Sequence, residues 1–321
     1  MWGWTDPQTG KDYALVGTNM GMTIVDISDA KRPVVVGMLP SHSFDGGEFW
    51  RDIKVYANHA FVVAEYEDHG MQVLDLTQVR DVDLSGGPGE FAETAFYGGI
   101  GHSHNVAINE ETGYAYVVGS DTCAGGLHMV DISDPTSPSF AGCFEDDGYT
   151  HDTQCVIYRG ADADYHGSAP CISANPTLDG TPDLNTLSTA DVTANNHPVS
   201  IANIDYSDDG YSPQGWLTAD QSYFLHGDEL DELFFGNKTR TRIWDVRDLD
   251  NPTIIGIFDN TTDAIDHNIY TEGRYAIVSN YTSGLRVYDM KNVAAGELSE
   301  AAYFDVYPEN DNASFEGGTW S

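Results

Sequence analysis

The sequence is poor in basic residues. It has 14 Lys and Arg side chains against 51 Asp and Glu side chains, a formal net charge of -37 over 321 residues. Such a polyanion is repelled by phosphate backbones and by anionic lipid, so the composition argues against nucleic-acid binding and against docking on a membrane surface. Basic, metal-rich and carbohydrate partners are compatible with this charge.

Long apolar runs are also missing. No stretch approaches the roughly 18 uncharged apolar residues of a membrane-spanning helix, so we expect no membrane insertion by this segment. Residues 1–17 lack the basic and apolar regions of a signal peptide, so we expect a mature or trimmed piece of a protein. Because 40% of the residues are hydrophobic, the chain can bury a large core and its acidity belongs to the surface.

Established catalytic motifs are absent from the sequence. It contains no GxSxG elbow, no HExxH helix motif, no Walker loop and no dinucleotide fingerprint. The sequence therefore names no catalytic residue, and whether the protein is an enzyme stays open.

What the sequence does contain is an internal repeat, two or three apolar residues followed by Asp, as in TIVDISD and RIWDVRD. The anchoring residues of the six copies are Asp26, Asp75, Asp131, Asp191, Asp245 and Asp289. Each copy follows a pair of β-rich runs joined by turn residues, so each repeat predicts four short antiparallel strands. Four strands in about 40 to 50 residues are typical of a propeller blade, which must stack on its neighbours to bury both faces.

The predicted fold is therefore an all-β propeller of six complete blades in a single domain over residues 1–321. Trp320 and Ser321 stand where another inner strand would begin, so we expect a seventh blade to be missing or only started, and whether six or seven blades close the ring stays open. Each repeated Asp is expected to end the third strand of its blade and to hold the following turn, a structural role.

The repeat resembles the LVIVD repeat. The ordered motifs WRDIKV, GHSHNVAINEETGYAYVVGS, DGYTHDTQCVIY, QGWLTADQ, DELDE and IDHNIY are similar to those of the choice-of-anchor B family of bacterial cell-surface propellers. This resemblance implies a secreted or surface-displayed propeller with a variable C-terminal anchor, and it implies no particular chemistry. We expect this sequence to contain neither the signal peptide nor the anchor of such proteins.

The starts of the first strands carry the first candidate site. Aligning the repeats places five pairs at equivalent positions: Arg51 and Asp52, His104 and Asn105, His151 and Asp152, Gln214 and Gly215, His267 and Asn268. First strands line the channel of a propeller, so we expect these groups to converge near one mouth of it. The histidines and Asp152 are candidate metal ligands, and Arg51, Asp52, Asn105, Gln214 and Asn268 are candidate ligand-binding residues. Alternatively, such recurring polar residues only hydrogen-bond the next blade.

An acidic loop of the fifth repeat, LHGDELDELFFGNKTR, is the second candidate. Its carboxylates Asp228, Glu229, Asp231 and Glu232 stand beside His226. Calcium favours such oxygen ligands, although zinc or another transition metal also suits the histidines. The spacing is not that of an EF-hand, and an acidic loop is often merely solvated. The loop between second and third strands returns to the start of the first strands, so Glu65 and Asp121 lie on the same rim.

Four clustered cysteines without CxxC spacing predict two disulfides and an oxidising compartment. Of the three pairings, the blade pattern favours Cys123 with Cys143 and Cys155 with Cys171. These bonds would brace the rim next to His151.

Three functions are open at this point. The first is a secreted or cell-surface binding or adhesion module with a bound divalent cation, calcium favoured, that recognises a surface glycan, matrix component or protein. The second is a metal-dependent hydrolase with its metal at the channel mouth. The third is a structural subunit of an extracellular assembly, because fold alone does not decide function.

Overall fold

The computed structural model describes residues 1–43, 50–176, 185–207, 210–212 and 214–320. Within these residues the strands form six sheets, each built on four antiparallel strands in chain order from first to fourth, and one sheet has an additional short strand. The fold is a six-bladed β-propeller and is nearly all β, as the repeat predicts. Contacts divide the chain into two compact units, Met1–Glu145 and Asp146–Ser321.

The first unit contains three blades. Blade one has β1 (Trp2–Thr5), β2 (Asp12–Thr18), β3 (Gly21–Asp26) and β4 (Val34–Pro40). Blade two has β5 (Arg51–Tyr56), β6 (His59–Ala64), β7 (Met71–Asp75) and, after the short β8 (Gly89–Glu90), β9 (Ala95–Tyr97). Blade three has β10 (Asn105–Asn109), β11 (Tyr114–Val118), β12 (Leu127–Asp131) and β13 (Ser139–Phe144). Strand β8 adds to blade one by pairing in parallel with β4.

The second unit contains the other three blades. Blade four has β14 (Asp152–Cys155), β15 (Pro170–Asn175), β16 (Thr186–Asp191) and β17 (Val199–Asp205). Blade five has β18 (Gly215–Leu217), β19 (Tyr223–His226), β20 (Arg240–Asp245) and β21 (Thr253–Asp259). Blade six has β22 (Ile269–Glu272), β23 (Tyr275–Asn280), β24 (Gly284–Asp289) and β25 (Ser299–Phe304).

Helices are short and lie between strands. The α-helix is α1 (Asp231–Phe235), in the acidic loop of blade five. The 3₁₀ helices are Leu76–Asp81, Leu84–Gly86, Cys123–Gly125, Ala163–Tyr165 and Val293–Ala295. No helix in the described ranges is long and apolar enough to cross a membrane.

Apolar cores lie between successive blades of each unit. In the first unit Met22 and Ile24 of blade one pack with Ile53 and Leu74 of blade two, all fully buried. In the second unit blades five and six share a core that includes Ile243 and Val278. A blade therefore buries its faces against its neighbours, which is why the repeat cannot fold as an isolated sheet.

The six repeated aspartates occupy the predicted positions. Each is the last residue of a third strand: Asp26, Asp75, Asp131, Asp191, Asp245 and Asp289. In every case a carboxylate oxygen accepts a hydrogen bond of 2.8 to 3.0 Å from the backbone N–H two residues later. This is the Asx turn expected from the sequence, so the structural role is confirmed.

Both predicted disulfides are present, Cys123–Cys143 and Cys155–Cys171. Cys155 lies directly opposite Cys171 in the register of β14 and β15. The start of a seventh blade is not seen in residues 305–320, where Thr319 forms only an isolated antiparallel bridge with Tyr281. Ser321 lies outside the described residues.

Candidate functional site

A histidine–carboxylate pair occurs at the start of one first strand in each unit. In the first unit His104 Nδ1 hydrogen-bonds Glu65 Oε1, and Glu65 follows the second strand of the preceding blade. In the second unit His267 Nε2 lies 3.3 Å from Glu229 Oε1, and Glu229 belongs to the corresponding loop of blade five. The loop between second and third strands therefore does reach the start of the next first strand, as predicted.

Two other first-strand groups bind the backbone of the next blade. Asp52 Oδ2 accepts a hydrogen bond of 3.1 Å from Val106 N–H and one of 2.6 Å from Lys54 Nζ. Gln214 Oε1 accepts a hydrogen bond of 2.6 Å from Ile269 N–H. These two side chains therefore hydrogen-bond the next blade, as the alternative interpretation of the recurring polar residues expects.

Arg51 is buried, and the groups of the described residues that it hydrogen-bonds are neutral. Its guanidinium donates to Thr18 O at 3.2 Å and to Ser41 Oγ at 2.8 Å, and its Nη1 lies 2.7 Å from His69 Nε2. His69 Nδ1 lies 2.9 Å from Gly70 O, which places the proton on Nδ1 and leaves Nε2 to accept from Arg51. Burial, with Arg51 as a further cause, lowers the pKa of His69 to about 4.

The remaining first-strand candidates have local contacts. His151 is buried with its ring edge-on to Tyr211, the centroids 5.1 Å apart, and Asp152 accepts from the neighbouring Thr153 N–H. Asn268 Nδ2 donates to Tyr270 Oη at 3.3 Å. Asn105 opens β10 and is half-buried. The convergence of the five positions on one axis stays a prediction, as does metal binding by their histidines.

Most carboxylates of the acidic loop are buried. The interpretation of this loop as merely solvated is therefore wrong. Asp228 and Asp231 are 0% exposed and Glu232 is 5% exposed. Asp228 is held by backbone N–H groups of Gly210 and Tyr211, each at 2.8 Å, and lies 3.4 Å from the Arg242 guanidinium. Asp228 therefore anchors the acidic loop to the backbone of Gly210 and Tyr211.

Two residues that sequence reasoning missed complete this cluster. Arg242, 1% exposed, lies in β20, with Nη2 3.6 Å from Asp231 Oδ2. Asp266, 0% exposed, accepts a hydrogen bond of 3.1 Å from Asp228 N–H. Asp266 directly precedes His267, a first-strand candidate, and this adjacency could have pointed to Asp266. Nothing in the sequence connects Arg242 with the loop. We call Asp228, Asp231, Glu232, Asp266 and Arg242 the buried carboxylate cluster.

Burial determines the electrostatics of this cluster. It raises the pKa of Asp231 to about 6 and that of Asp228 to about 8, against the opposing effect of Arg242. Burial, followed by the neighbouring charges of Asp266 and Asp231, raises the pKa of Glu232 to about 12. The pKa of Asp266 is likewise raised, by burial first and by Asp231 second.

His226 is fully buried beside this cluster. Its Nε2 hydrogen-bonds Ser212 Oγ at 2.7 Å, and burial lowers its pKa to about 3. The ring packs edge-on to Tyr206, with centroids 5.4 Å apart. It is therefore a neutral imidazole, and its assignment as a metal ligand stays a prediction.

A separate acidic group has the spacing that a metal ion needs. Asp162, Asp248 and Asp250 can place one carboxylate oxygen each within 4.8 Å of the others, the one such group in the described part of the chain. Asp248 and Asp250 are exposed, and Asp162 already accepts a hydrogen bond from Leu249 N–H. This group could hold a metal ion, but no observation identifies a metal.

Aromatic rings surround the second histidine–carboxylate pair. The rings of Tyr281 and Trp320 lie 5.4 and 6.1 Å from that of His267, and Tyr281 Oη donates to Glu229 at 3.2 Å. Phe315, 49% exposed, lies edge-on to Tyr281 at 5.3 Å. We call Tyr281, Phe315 and Trp320 the aromatic patch; the sequence analysis did not select these rings.

The polar centre of this patch is His267. Its Nε2 lies 3.2 Å from Trp320 Nε1 and 3.3 Å from Glu229, while Nδ1 is buried and has no hydrogen-bond partner among the described residues. Because the indole N–H only donates, Nε2 either accepts from Trp320 or donates to Glu229.

Comparison with known proteins supports the repeat. The family model described as LVIVD repeat matches residues 10–39 and 100–146, which cover β2 to β4 and blade three. The chain is a β-propeller that contains LVIVD repeats. No curated protein matches the LVIVD-repeat chain.

Solved structures resemble the LVIVD-repeat propeller in fold. A protein from Lactobacillus plantarum is 14% identical, with a TM-score of 0.62, covering 92% of this chain and 82% of that one. A putative 6-phosphogluconolactonase from Bacteroides fragilis is 13% identical, with a TM-score of 0.64 and coverages of 94% and 84%. The periplasmic gluconolactonase of Pseudomonas aeruginosa is 10% identical, with a TM-score of 0.63 and coverages of 97% and 86%. At these identities the likeness extends to the fold alone.

Proposed function

We propose that this LVIVD-repeat propeller is a non-enzymatic binding module of the choice-of-anchor B type. It is secreted or displayed on a cell surface, forms one domain over residues 1–321, recognises a glycan and carries a bound divalent cation. The two disulfides support an oxidising compartment. The charge of -37 supports a partner other than nucleic acid or anionic lipid.

The observation that carries this proposal is the aromatic patch around Glu229 and His267. Binding sites typically combine aromatic surface with a few polar groups that fix the orientation of the ligand. Phe315 offers an exposed ring, and Trp320 is half-buried with its indole N–H 3.2 Å from His267 Nε2. A sugar ring suits this arrangement because its apolar face packs on aromatic rings while its hydroxyls hydrogen-bond a carboxylate.

A metal-dependent hydrolase is the second candidate. The pair of His104 and Glu65 supports it, because a carboxylate that orients an imidazole is a common arrangement of a general base. Two of the similar solved structures are named as lactonases. We rank this candidate second because Asp52 and Gln214, each a member of one of the aligned first-strand pairs, are engaged with backbone of the next blade.

Glycan binding is tested on a glycan array with calcium present, followed by calorimetry on the ligand found. We expect binding by the natural chain and a loss of at least about tenfold in Trp320→Ala and Phe315→Ala, as for anchors at a binding centre. The matched control is Phe304→Ala, because Phe304 is a 68% exposed aromatic residue of the same unit outside the patch.

An equal loss in the Phe304 control would contradict the assignment to the patch. Hydrolysis of aldonolactones that is abolished by chelation and by Glu65→Gln would favour the hydrolase instead. Stable assembly with other copies and no glycan binding would favour a structural subunit.

A further inference from the structure

Blade two departs from the repeat in the connection between its third and fourth strands. In the other five blades this connection has seven to nine residues, whereas in blade two it spans residues 76–94. Connections of this length in a compact domain usually have a function. The inserted segment stays on the fold, because its strand β8 pairs in parallel with β4 of blade one. The insertion therefore covers the outer edge of the neighbouring blade.

The inserted segment lies very close to β4. Phe91 N–H donates to Met38 O at 2.8 Å. A Cβ at Gly37 would lie 2.5 Å from Gly89 O and 2.6 Å from Phe91 Cε2, so only glycine allows this approach. The Phe91 ring is 8% exposed and belongs to the apolar core of the first unit. The insertion thus has one defined position, and the residues after β8 form a fixed wall.

A cavity of about 420 Å³ lies beside this wall. Residues 90–93 of the insertion line it together with Leu39 and Pro40 of β4. Its size is within the range of sites for small molecules. Because four of its lining residues come from the insertion, a blade with the ordinary short connection would not form this cavity.

A buried amide fixes one carboxylate at the cavity. Gln72, which lines the cavity and is 3% exposed, donates from Nε2 to Glu93 Oε2 at 3.0 Å and to Pro40 O at 3.1 Å. Gln72 Oε1 accepts from His42 N–H at 3.3 Å. The Glu93 side chain is 32% exposed, and within the described residues its Oε1 receives no hydrogen bond. Glu93 is therefore held through one oxygen and can offer the other to a ligand.

The charge at the cavity favours a cation as ligand. Among the described residues the lining includes Glu90 and Glu93 but no lysine or arginine. Arg51 lies behind the lining residue Ser41, to which it donates at 2.8 Å, and is 6% exposed. His42 Nδ1 lies 3.9 Å from Glu93 Oε2, beyond hydrogen-bond distance. The net charge of -37 over the chain adds to the attraction of positive ligands.

We propose that this cavity binds a small organic cation, an ammonium group on an apolar body. The ammonium group donates to Glu93, because hydrogen bonds between charged partners are about twice as strong as those between neutral ones. Leu39 and Phe91 contact the apolar body. The proposal goes beyond glycan binding and does not depend on it, since every residue used belongs to the first unit and the aromatic patch belongs to the second.

The experiment is an NMR titration of the full chain at pH 7 with benzylamine, which is protonated, and with benzyl alcohol, its neutral counterpart. We expect saturable binding of benzylamine with a Kd of about 1 mM or lower, and binding of benzyl alcohol that is about tenfold weaker or more. Glu93→Gln keeps an acceptor for Gln72 but removes the charge, so it should weaken benzylamine binding by about tenfold and leave benzyl alcohol unchanged. Ala92→Trp fills the cavity and should abolish the binding of both compounds.

The matched control is Glu110→Gln, which removes the same charge from an exposed glutamate of the first unit outside the cavity. It should leave benzylamine binding unchanged. Circular dichroism confirms that each variant is folded, and Ala92→Trp decides the test if Glu93→Gln is unfolded. The proposal would be overturned by equal binding of the two compounds, by an equal loss in Glu110→Gln, by retained binding in Glu93→Gln and Ala92→Trp, or by no saturable binding of benzylamine.

Discussion

Arg51 in the first unit and Arg242 in the second are both buried guanidinium groups with opposite surroundings. Within the described residues Arg51 contacts a backbone carbonyl, a hydroxyl and an imidazole, and burial lowers its pKa to about 10. For Arg242 burial also opposes the charge, but Asp228 and its neighbours outweigh it and raise the pKa. One unit thus holds a cation among neutral groups, and the other holds an excess of anions around a cation. Removing the guanidinium should therefore destabilise the second unit more than the first.

The largest expected effect comes from removing each arginine. Arg242→Met leaves four buried carboxylates without their guanidinium, and we expect a loss of about 3–5 kcal/mol in the free energy of unfolding. Arg51→Met removes neutral hydrogen bonds and should cost about 1–3 kcal/mol. Urea unfolding of both variants at pH 7 in a chelator measures the difference. Equal losses would show that the two environments are energetically alike.

The pH dependence should separate the two units with opposite signs. His69, with a pKa of about 4, takes up its proton less readily when folded, so its contribution to stability is lost as pH falls from about 6.5 to 4. This amounts to about 3 kcal/mol at one pKa unit per 1.36 kcal/mol. Asp231 and Asp228, with pKa values of about 6 and 8, favour the folded state at low pH and lose that contribution as pH rises through these values.

Hydrogen exchange by segment, in a chelator between pH 4 and 8, measures each unit separately. Strands β6 and β7 should become less protected toward pH 4, and this change should shrink in His69→Gln. Strands β19 and β20 should become less protected toward pH 8, and this change should shrink in Asp231→Asn. The same direction in both units would contradict the comparison.

The smallest effect is expected at the two histidine–carboxylate pairs. Their carboxylate side chains are 24% exposed at Glu65 and 13% at Glu229, so each Glu→Gln change should cost about 1 kcal/mol or less. Calorimetry with the glycan separates them, because Glu229→Gln should weaken binding at the aromatic patch and Glu65→Gln should not. Equal effects on glycan binding would show that the glycan does not bind specifically at the aromatic patch of the second unit.

The fold was predictable because its determinants are local and repeated. Asp26 and its five equivalents hold turns through a hydrogen bond to a residue two positions away, a relation visible in any short segment. The pairing of Cys155 with Cys171 followed from a hairpin of neighbouring strands. Glu65 was correctly placed on the rim with His104, because the loop after a second strand must return to that end.

The candidate site was only partly predictable, since its contacts join distant residues. The acidic loop was selected, but Arg242 and Asp266 were not, although both contact it. Trp320 lies 53 residues from His267 in the chain, and no pattern links them. A spacing rule cannot detect a contact made when two different loops meet.

The sequence by itself determined six four-stranded blades, two disulfides, a strongly acidic surface and the residue types at each first strand. These follow from hydrophobic periodicity, turn chemistry and cysteine count, which act over a few residues. Only the tertiary structure decided that the acidic loop turns its carboxylates inward, toward Arg242, and its phenylalanines outward. Burial and its effect on charge depend on every neighbour in space, and the order of residues along the chain does not contain that information.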